Sequence, residues 1–312
     1  MKYAIISDIH GNNHAFDAVI TDAKAQNVDM YLLLGDYLGG SAHGNDVATT
    51  MRKLSPAIPI RGNGEGYLVN LQKQDPQTMT HQQFKPMYWS YRTLDPENLA
   101  YLINLPETAA IKGGDFDIHL EHAMSIFFRN PKVRHFHSCQ FRIMMEKEPF
   151  IHEEYLIRAR KELLARPEAV SEIMALPKGI YLFGHNHMAF HMEYEGRVFI
   201  NPGSCGEPLN WDTRAQYTIL TINGPDWAVT ERRVEYDLQR VIDGLTTSGF
   251  SAYAPEWSEV MKLQLSGKDH VQFFVNHIKR TGWEMGKPNE PVSNDVWEAA
   301  IKTWDPVKCL HL

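Results

Sequence analysis

The stretch "YAIISDIHG", Tyr3–Gly11, carries both the start of the fold and the start of the chemistry. "YAII" is a continuous apolar run without polar alternation, the pattern of a strand covered on both faces. It stops abruptly at Ser7, Asp8, His10 and Gly11. A buried strand that ends in a carboxylate, an imidazole and a glycine sets polar groups at the carboxyl end of a sheet, where open α/β sheets build their sites. In an extended chain, alternation would put Asp8 and His10 on one side.

The neighbouring segments extend the pattern. "HAFDAVITDAKAQ" (His14–Gln26) has helical spacing through Phe16, Val19, Ile20 and Ala23. "DMYLLLG" (Asp29–Gly35) is a second apolar strand, "GNDVATTMRKL" (Gly44–Leu54) a helix, and "PAIPIRG" (Pro56–Gly62) a short third strand. Strand, helix, strand, helix, strand is the rhythm of βαβ units and an α/β fold. Residues 67–105 read as mostly helical. "TAAIK" and "FDIHL" form a hairpin around Gly113–Gly114. Residues 125–175 form a polar insertion with helical spacing in its second half. "GIYLFG" (Gly179–Gly184) is again a buried strand, followed by hairpins turning at Glu195–Gly196 and at "NGPD". After about Asp237 the pattern becomes helical. The expected organisation is a core domain over 1–236, with the insertion at about 125–175, and a helical extension over 237–312 that packs on the core or at a subunit interface.

The 312 residues are 43% hydrophobic and 22% charged, which suits a soluble globular chain with a sizeable core. A formal net charge of -7 argues against a broad nucleic-acid or anionic-membrane surface. A small phosphorylated ligand stays open, because bound cations reverse the local field. Cys139, Cys205 and Cys309 have no metal-like spacing and suggest a reducing compartment without a disulfide framework. No secretory signal pattern precedes Asp8, and no run reaches the roughly 18 apolar residues of a spanning helix. A cytoplasmic location and no membrane partner are expected.

Four more strand ends repeat the first arrangement: Asp36 after Gly35, Asn63 between Gly62 and Gly64, His185 and His187 after Gly184, and "DIHLEHA" with His119 and His122. Any one of these alone is more often a turn residue or a hydrogen-bonded core group. Together they supply hard oxygen and borderline nitrogen donors, suited to manganese, iron or zinc, in a number too large for one tetrahedral ion. Two ions sharing a carboxylate fit the count and would clamp a phosphoryl group for in-line attack. His122 is preferred to His119 as a ligand, because alternation from His119 leads to Glu121 while His122 begins the loop.

These residues resemble the calcineurin-like metallophosphoesterase family, whose pattern runs D-x-H, G-D, G-N, a strand-end His, then G-H-x-H. Here they are Asp8-x-His10, Gly35-Asp36, Gly62-Asn63, His122 and Gly184-His185-x-His187. The resemblance covers residues 1 to about 235. "NPGSCGEP" (Asn201–Pro208) and "TLDPENLAYLINLP" (Thr93–Pro106) are similar to the small bacterial and archaeal phosphodiesterase branch. The resemblance implies a four-layer αββα sandwich of two mixed sheets. It also implies two metal ions, manganese first in vitro and iron or zinc as alternatives. Asp8, His10, Asp36 and His187 would hold one ion, and Asp36, Asn63, His122 and His185 the other. A metal-bound hydroxide would attack phosphorus in line, with Asp36, Asn63 and His122 in the catalytic centre. The substrate expected is a phosphodiester or nucleotide-like small molecule. A phosphomonoesterase, including a Ser/Thr protein phosphatase, is the first alternative, and a weakly active metal-binding scaffold the second.

One departure bears on substrate choice. Much of the family carries a phosphate-contacting His after the metal-binding Asn, where this chain has Gly64. Without that proton donor, good aryl leaving groups should turn over better than simple alkyl monoesters. His43, in the glycine-rich loop after Asp36, is a candidate phosphate contact or proton donor. Arg61 is either a phosphate clamp or an outward-facing ion-pair residue. His135 and His137 are loop residues that offer a lesser pocket role. The C-terminal helices are candidates for a cap over the cleft or for a homo-oligomer interface.

Overall fold

The computed structural model describes residues 1–124, 151–268 and 270–306. His135, His137, Cys139 and Cys309 lie outside the described residues. Among these residues no helix is long and apolar enough to cross a membrane.

Ten described strands form two sheets of five. The first is built from β1 (Lys2–Ile6), β2 (Met30–Leu33), β3 (Ala57–Pro59), β9 (Ala215–Asn223) and β10 (Asp226–Val234), in the order β10-β9-β1-β2-β3. The second contains β4 (Thr108–Gly113), β5 (Phe116–Glu121), β6 (Gly179–Leu182), β7 (Phe190–Tyr194) and β8 (Arg197–Asn201), in the order β4-β5-β6-β8-β7. Both sheets are mixed. β1, β2 and β3 run parallel with Ile5 opposite Leu32 and Leu32 opposite Ile58, and β5 and β6 run parallel with Leu120 opposite Leu182.

The continuous apolar strands are explained by what lies on each face. Tyr3 and Ile5, Leu32 and Leu34, Ile118 and Leu120, and Ile180 and Leu182 share one buried core between the sheets. The alternate residues Ala4, Ile6, Tyr31 and Leu33 pack instead beneath α1 (Asn13–Ala25), through Phe16 and Val19, and α2 (Gly44–Lys53), through Val47 and Met51. Tyr181 and Phe183 pack beneath α6 (His152–Leu164) and α7 (Pro167–Ala175). A strand with helices on one face and a second sheet on the other has no solvent side, so period-two polarity disappears.

Between β3 and β4 lie α3 (Asn63–Leu71), α4 (Lys85–Thr93) and α5 (Pro96–Ile103). The C-terminal extension contains α8 (Leu238–Thr247), α9 (Phe250–Tyr253), α10 (Pro255–Leu265), α11 (His270–Glu284) and α12 (Asn294–Thr303). It has its own aromatic core, in which Trp257 meets Phe274 at 5.3 Å and Trp297 at 5.8 Å between ring centroids. It is also seated on the sandwich. Trp89 of α4 packs edge-on against Phe250 at 5.7 Å, Trp257 Nε1 donates to the Gln82 carbonyl at 3.2 Å, and Gln264 Nε2 donates to the Pro208 carbonyl at 2.8 Å.

Candidate metal centre

Asp8, His10, Asp36 and Asn63 follow β1, β2 and β3 of one sheet, while His122, His185 and His187 follow β5 and β6 of the other. These are carboxyl ends of parallel strands, so stacking the two sheets brings both sets to one edge. Asp8 and His10 do not share a face through strand alternation. β1 ends at Ile6, and both residues adopt left-handed backbone, with φ of 54° and 50°. Asp36, His185 and His187 do so as well, at 52°, 73° and 58°. Only three other non-glycine residues in the described chain, Asn27, Glu195 and Trp211, have positive φ. Left-handed backbone disfavours residues with a Cβ, and it recurs where a site over-determines the chain.

The loops hold one another in this conformation. The Asp8 N–H donates to the Gly35 carbonyl at 3.0 Å, and the Ile9 and His10 N–H groups both donate to the Asp36 carbonyl, at 2.9 and 3.1 Å. The His185 N–H donates to Asp8 Oδ2 at 3.0 Å, which links the sheets through a fully buried carboxylate. Glycines permit the close approach: a Cβ on Gly184 would lie 1.9 Å from Ser7 Oγ and 2.6 Å from Asp8 Oδ2.

Two groups of donor atoms result, Asp8 with His10 and His187, and Asp36 with His122 and His185, each gathered within 4.8 Å. Three imidazoles are oriented alike. Nδ1 of His10, His122 and His187 faces the carbonyls of Leu38, Leu34 and Glu207 at 3.2, 2.7 and 2.7 Å. A proton on Nδ1 satisfies each carbonyl and leaves Nε2 with a lone pair, the arrangement of a metal-binding histidine. His10 Nε2 and His187 Nε2 then face each other at 3.0 Å, beside Asp8 Oδ1 at 3.9 and 3.5 Å. Two lone pairs at that separation repel unless a cation or proton lies with them, so the donor set fits a metal ion. In the second group His122 Nε2 lies 3.4 Å from Asp36 Oδ2 and 3.1 Å from Asn63 Oδ1.

Electrostatics favour the ionised carboxylate. Burial alone would raise the Asp36 pKa. The charge and hydrogen bond of His122, the charge of His10 and the Gly64 N–H outweigh burial and hold it well below the usual carboxylate range. Burial would lower His122, but the Asp36 and Asp8 carboxylates push it up to about 10, so with no cation beside them its Nε2 also takes a proton, which a bound ion would replace. The pocket therefore collects negative charge that calls for positive charge beside it.

The remaining predicted residues separate. Gly64 lines the cleft; its N–H donates to Asp36 Oδ1 at 2.7 Å, and a Cβ there would sit 3.2 Å from that oxygen. The position has ordinary backbone, but a Cβ there would press on the Asp36 carboxylate, which would have to give by a few tenths of an ångström. Arg61 ion-pairs with Glu107 and its Nη1 reaches the Ile103 carbonyl at 3.4 Å, a placement that gives no support to a phosphate clamp. His43 is absent from the cleft lining; its ring packs beside Gly244 of α8, with Nδ1 3.4 Å from Asp46 Oδ2. The Asp36 loop reaches the cleft through Leu38, Gly39 and Gly40, and α2 begins at Gly44 and carries His43 away. This placement gives no support to a phosphate contact by His43. His119 stacks on Tyr181 at 4.9 Å and stands outside both donor groups.

Three residues join the site without having been singled out by sequence. Glu65 is fully buried, and its carboxylate accepts from the N–H groups of Asp36, Tyr37 and Gly62 at 3.0, 2.9 and 2.9 Å. One side chain thus ties the Asp36 loop to the Asn63 loop. Its legible signal was "GNGE", which puts a Glu at the third position of a helix, where it can reach back to the N-cap amide. Burial and the Asp36 charge raise its pKa, against the pull of the backbone N–H bonds. Glu207 is a buried carboxyl lining the cleft, and its backbone carbonyl orients His187. Tyr67, one helical turn beyond Gly64 on α3, also lines the cleft.

The cleft over these groups has a volume of about 320 Å³, at the small end of ligand pockets. His10, Asp36, Asn63 and Gly64 line it together with Trp257, Met261, Val271 and Val275 from the extension.

The sandwich, the strand-end donors and their spacing define a class. The calcineurin-like phosphoesterase superfamily domain matches residues 1–224, and the chain belongs to that superfamily. Its two Asp/His clusters are those of a dinuclear-metal hydrolase acting on phosphoesters. A metallophosphoesterase from Sphaerobacter thermophilus shares the fold with a TM-score of 0.58 and 24% identity, covering 85% of this chain and 99% of that one. A hypothetical protein from Pyrococcus horikoshii shares it with a TM-score of 0.55 and 16% identity, over 83% of this chain and 97% of that one. An uncharacterized protein of Methanocaldococcus jannaschii is 27% identical over 271 residues, 81% of this chain and 94% of its own length.

Proposed function

We propose that this chain hydrolyses small phosphodiesters, including nucleotide-like ones, with two metal ions held by Asp8, His10, Asp36, Asn63, His122, His185 and His187. The supporting observation is the pair of Nε2 atoms facing at 3.0 Å with both Nδ1 atoms anchored on backbone carbonyls. Asp36, which follows β2 between β1 and β3, would be the carboxylate shared by the two ions. Manganese is the first choice, with iron or zinc as alternatives, from the mixed carboxylate and imidazole donors. When bound, the ions supply positive charge that polarises the phosphoryl oxygens and lowers the pKa of a water.

The chain's own residues set the rest of the chemistry. The backbone-anchored imidazoles hold their donor atoms fixed, so little reorganisation accompanies the reaction. Water oxygen forms the new bond to phosphorus while the bond to the leaving oxygen breaks in line. No side chain projects from position 64 to protonate that oxygen, which favours aryl or otherwise stabilised leaving groups over alkoxides. The hydroxyl of Ser204 donates to the Asp8 carbonyl at 2.7 Å and accepts from the Glu207 N–H at 2.8 Å, so it is committed to the loops rather than to nucleophilic attack. The small cleft under the extension supports a small-molecule ester over a phosphoprotein. Cytoplasmic residence is part of this reading, in keeping with the free thiol of Cys205.

The test is manganese-dependent hydrolysis of a bis-aryl phosphate, run beside nucleotides, cyclic nucleotides and phosphopeptides. Activity on the diester that disappears in His187→Ala supports the assignment. Faster release of phosphate from phosphopeptides than from diesters would replace it with a phosphatase.

A further inference from the structure

The C-terminal extension forms part of the wall of the metal cleft. Residues from two separate parts of the chain line the same cavity as His10, Asp36 and Asn63. Tyr67, Phe84 and Met87 come from α3 and the segment around α4, and Trp257, Met261 and Val275 from α10 and α11. Tyr67 and Phe84 meet edge-to-face with ring centroids 5.1 Å apart. Tyr67 is 39% exposed although it borders a cleft, so its ring is open to a ligand. Its phenol lies within electrostatic reach of both Asp36 and Glu290, which places the ring near the metal-binding carboxylate and near the part of the cavity that Lys279 and Glu290 line. Those two are ion-paired at 2.8 Å and offer a donor and an acceptor.

A polar, metal-binding floor continuous with aromatic and aliphatic walls recognises a ligand with the same division. We infer that the extension and the Tyr67–Phe84 wall form a subsite for the organic group of the phosphoester, and that this group is a flat ring of aryl or nucleobase size. The inference rests on the phosphoesterase reading and names the substrate class for that site. Volume is in keeping with this occupant. The cleft opens to solvent, and its volume of about 320 Å³ accommodates a phosphoryl group with one ring laid against these walls. Flat rings gain from edge and face contacts with Tyr, Phe and Trp beyond simple burial, whereas a sugar or a hydroxy-acid side chain would bring hydroxyls to apolar walls. Gly64 and Tyr67, one turn apart on α3, both line this cleft, so the ring follows a position without a side chain.

The experiment compares phenylphosphonate with methylphosphonate, two non-hydrolysable ligands with one phosphonate head. Calorimetric titration into the manganese-loaded full-length protein is expected to show at least about tenfold tighter binding of the phenyl compound, the effect of burying one ring. Val275→Asp should bring the phenyl-to-methyl ratio close to one. Tyr67→Ala, a change at an exposed position on the other wall, should lower the same ratio several-fold and serves if the first variant loses its native circular dichroism. Equal binding of both phosphonates by wild-type protein that still hydrolyses diesters would overturn the subsite and leave the phosphoesterase reading intact. Binding of neither, with no hydrolysis, would overturn both. An unchanged ratio in a folded Val275→Asp would remove the extension from the subsite.

Discussion

The two sides of the cleft are built on opposite principles. The floor consists of polar side chains on loops only a few residues long, five of them in left-handed backbone. Backbone hydrogen bonds and the single carboxylate of Glu65 hold these loops together. The roof consists of helices around an aromatic core, with left-handed backbone only at glycines among its described residues and contacts that are mostly apolar. The floor keeps donor atoms in place at the cost of local strain, which its many interlocking hydrogen bonds offset. The roof follows from burial, and its hydrogen bonds to the Gln82 and Pro208 carbonyls lie outside the donor set. Binding a phosphoryl group needs fixed positions; selecting an organic group needs a wall of suitable shape. The molecule assigns these tasks to different parts of the chain.

Several changes would break or sharpen that contrast. The largest effect is expected from Asp36→Asn, which removes the charge between the two donor groups while keeping the shape. Diester hydrolysis should fall by about 10³-fold, and metal analysis should show loss of bound ions while thermal unfolding of the extension is little changed. Retained activity would mean that the floor is not the reaction centre. Trp257→Ala attacks the roof. Truncating this buried ring, which meets Phe274 and Trp297, should cost about 3–5 kcal/mol in chemical denaturation and leave metal content as it was. Metal loss in that variant would show that the two sides are not independent.

Two glycine positions sharpen the picture of the floor. Gly35 has φ of 99°, and a Cβ there would lie 2.4 Å from the Gly62 nitrogen, so Gly35→Ala should destabilise by about 3 kcal/mol and loosen metal binding. Gly64 lacks a positive φ, and a Cβ there would meet Asp36 Oδ1 at 3.2 Å, a tight contact that a small shift of the carboxylate relieves. Gly64→His should fold normally and raise the rate for esters with poor leaving groups by about tenfold relative to aryl esters, measured as the ratio of kcat/KM values. An equal effect on both ester types would refute the missing-donor argument.

The smallest effect lies away from the cleft. Glu231 accepts from His152 at 2.6 Å and pairs with His191 at 2.9 Å. Burial would raise its pKa, but these histidines outweigh burial and hold it at about 2 against an ordinary 4.5. A depressed carboxylate contributes stability that is present above about pH 4.5 and is lost as the pH falls toward 2. Glu231→Gln should therefore cost at most about 2 kcal/mol near neutrality and reduce the acid sensitivity of unfolding below pH 4.5. An unchanged acid unfolding profile would count against the pairing.

Much of the floor was readable because metal binding demands particular donors and tight turns demand glycine. Asp8, His10, Asp36, Asn63, His122, His185 and His187 each stand at the end of an apolar run, and the structure brings them together. Their backbone was not readable. Alternation suggested that Asp8 and His10 share a face of an extended chain, whereas inter-loop hydrogen bonds impose left-handed turns. Glu65 was passed over because its work is done on amides from a loop 28 and 29 residues away in sequence. The placement of His43 was not readable, since a flexible-looking loop gives no direction for its last residue, and its ring lies beside Gly244 of α8. The roof was seen only as amphipathic helices, because an apolar stripe does not say what it covers.

The sequence by itself determined the buried strands, the order of the donors and their chemical type. Those depend on local properties: hydrophobic runs, glycine at turns, and side chains able to bind a metal. Tertiary structure alone decided that two sheets stack with their active ends together, that one carboxylate ties two loops, and that distant helices wall the cleft. Those features depend on contacts between residues far apart in the chain, which no local pattern records.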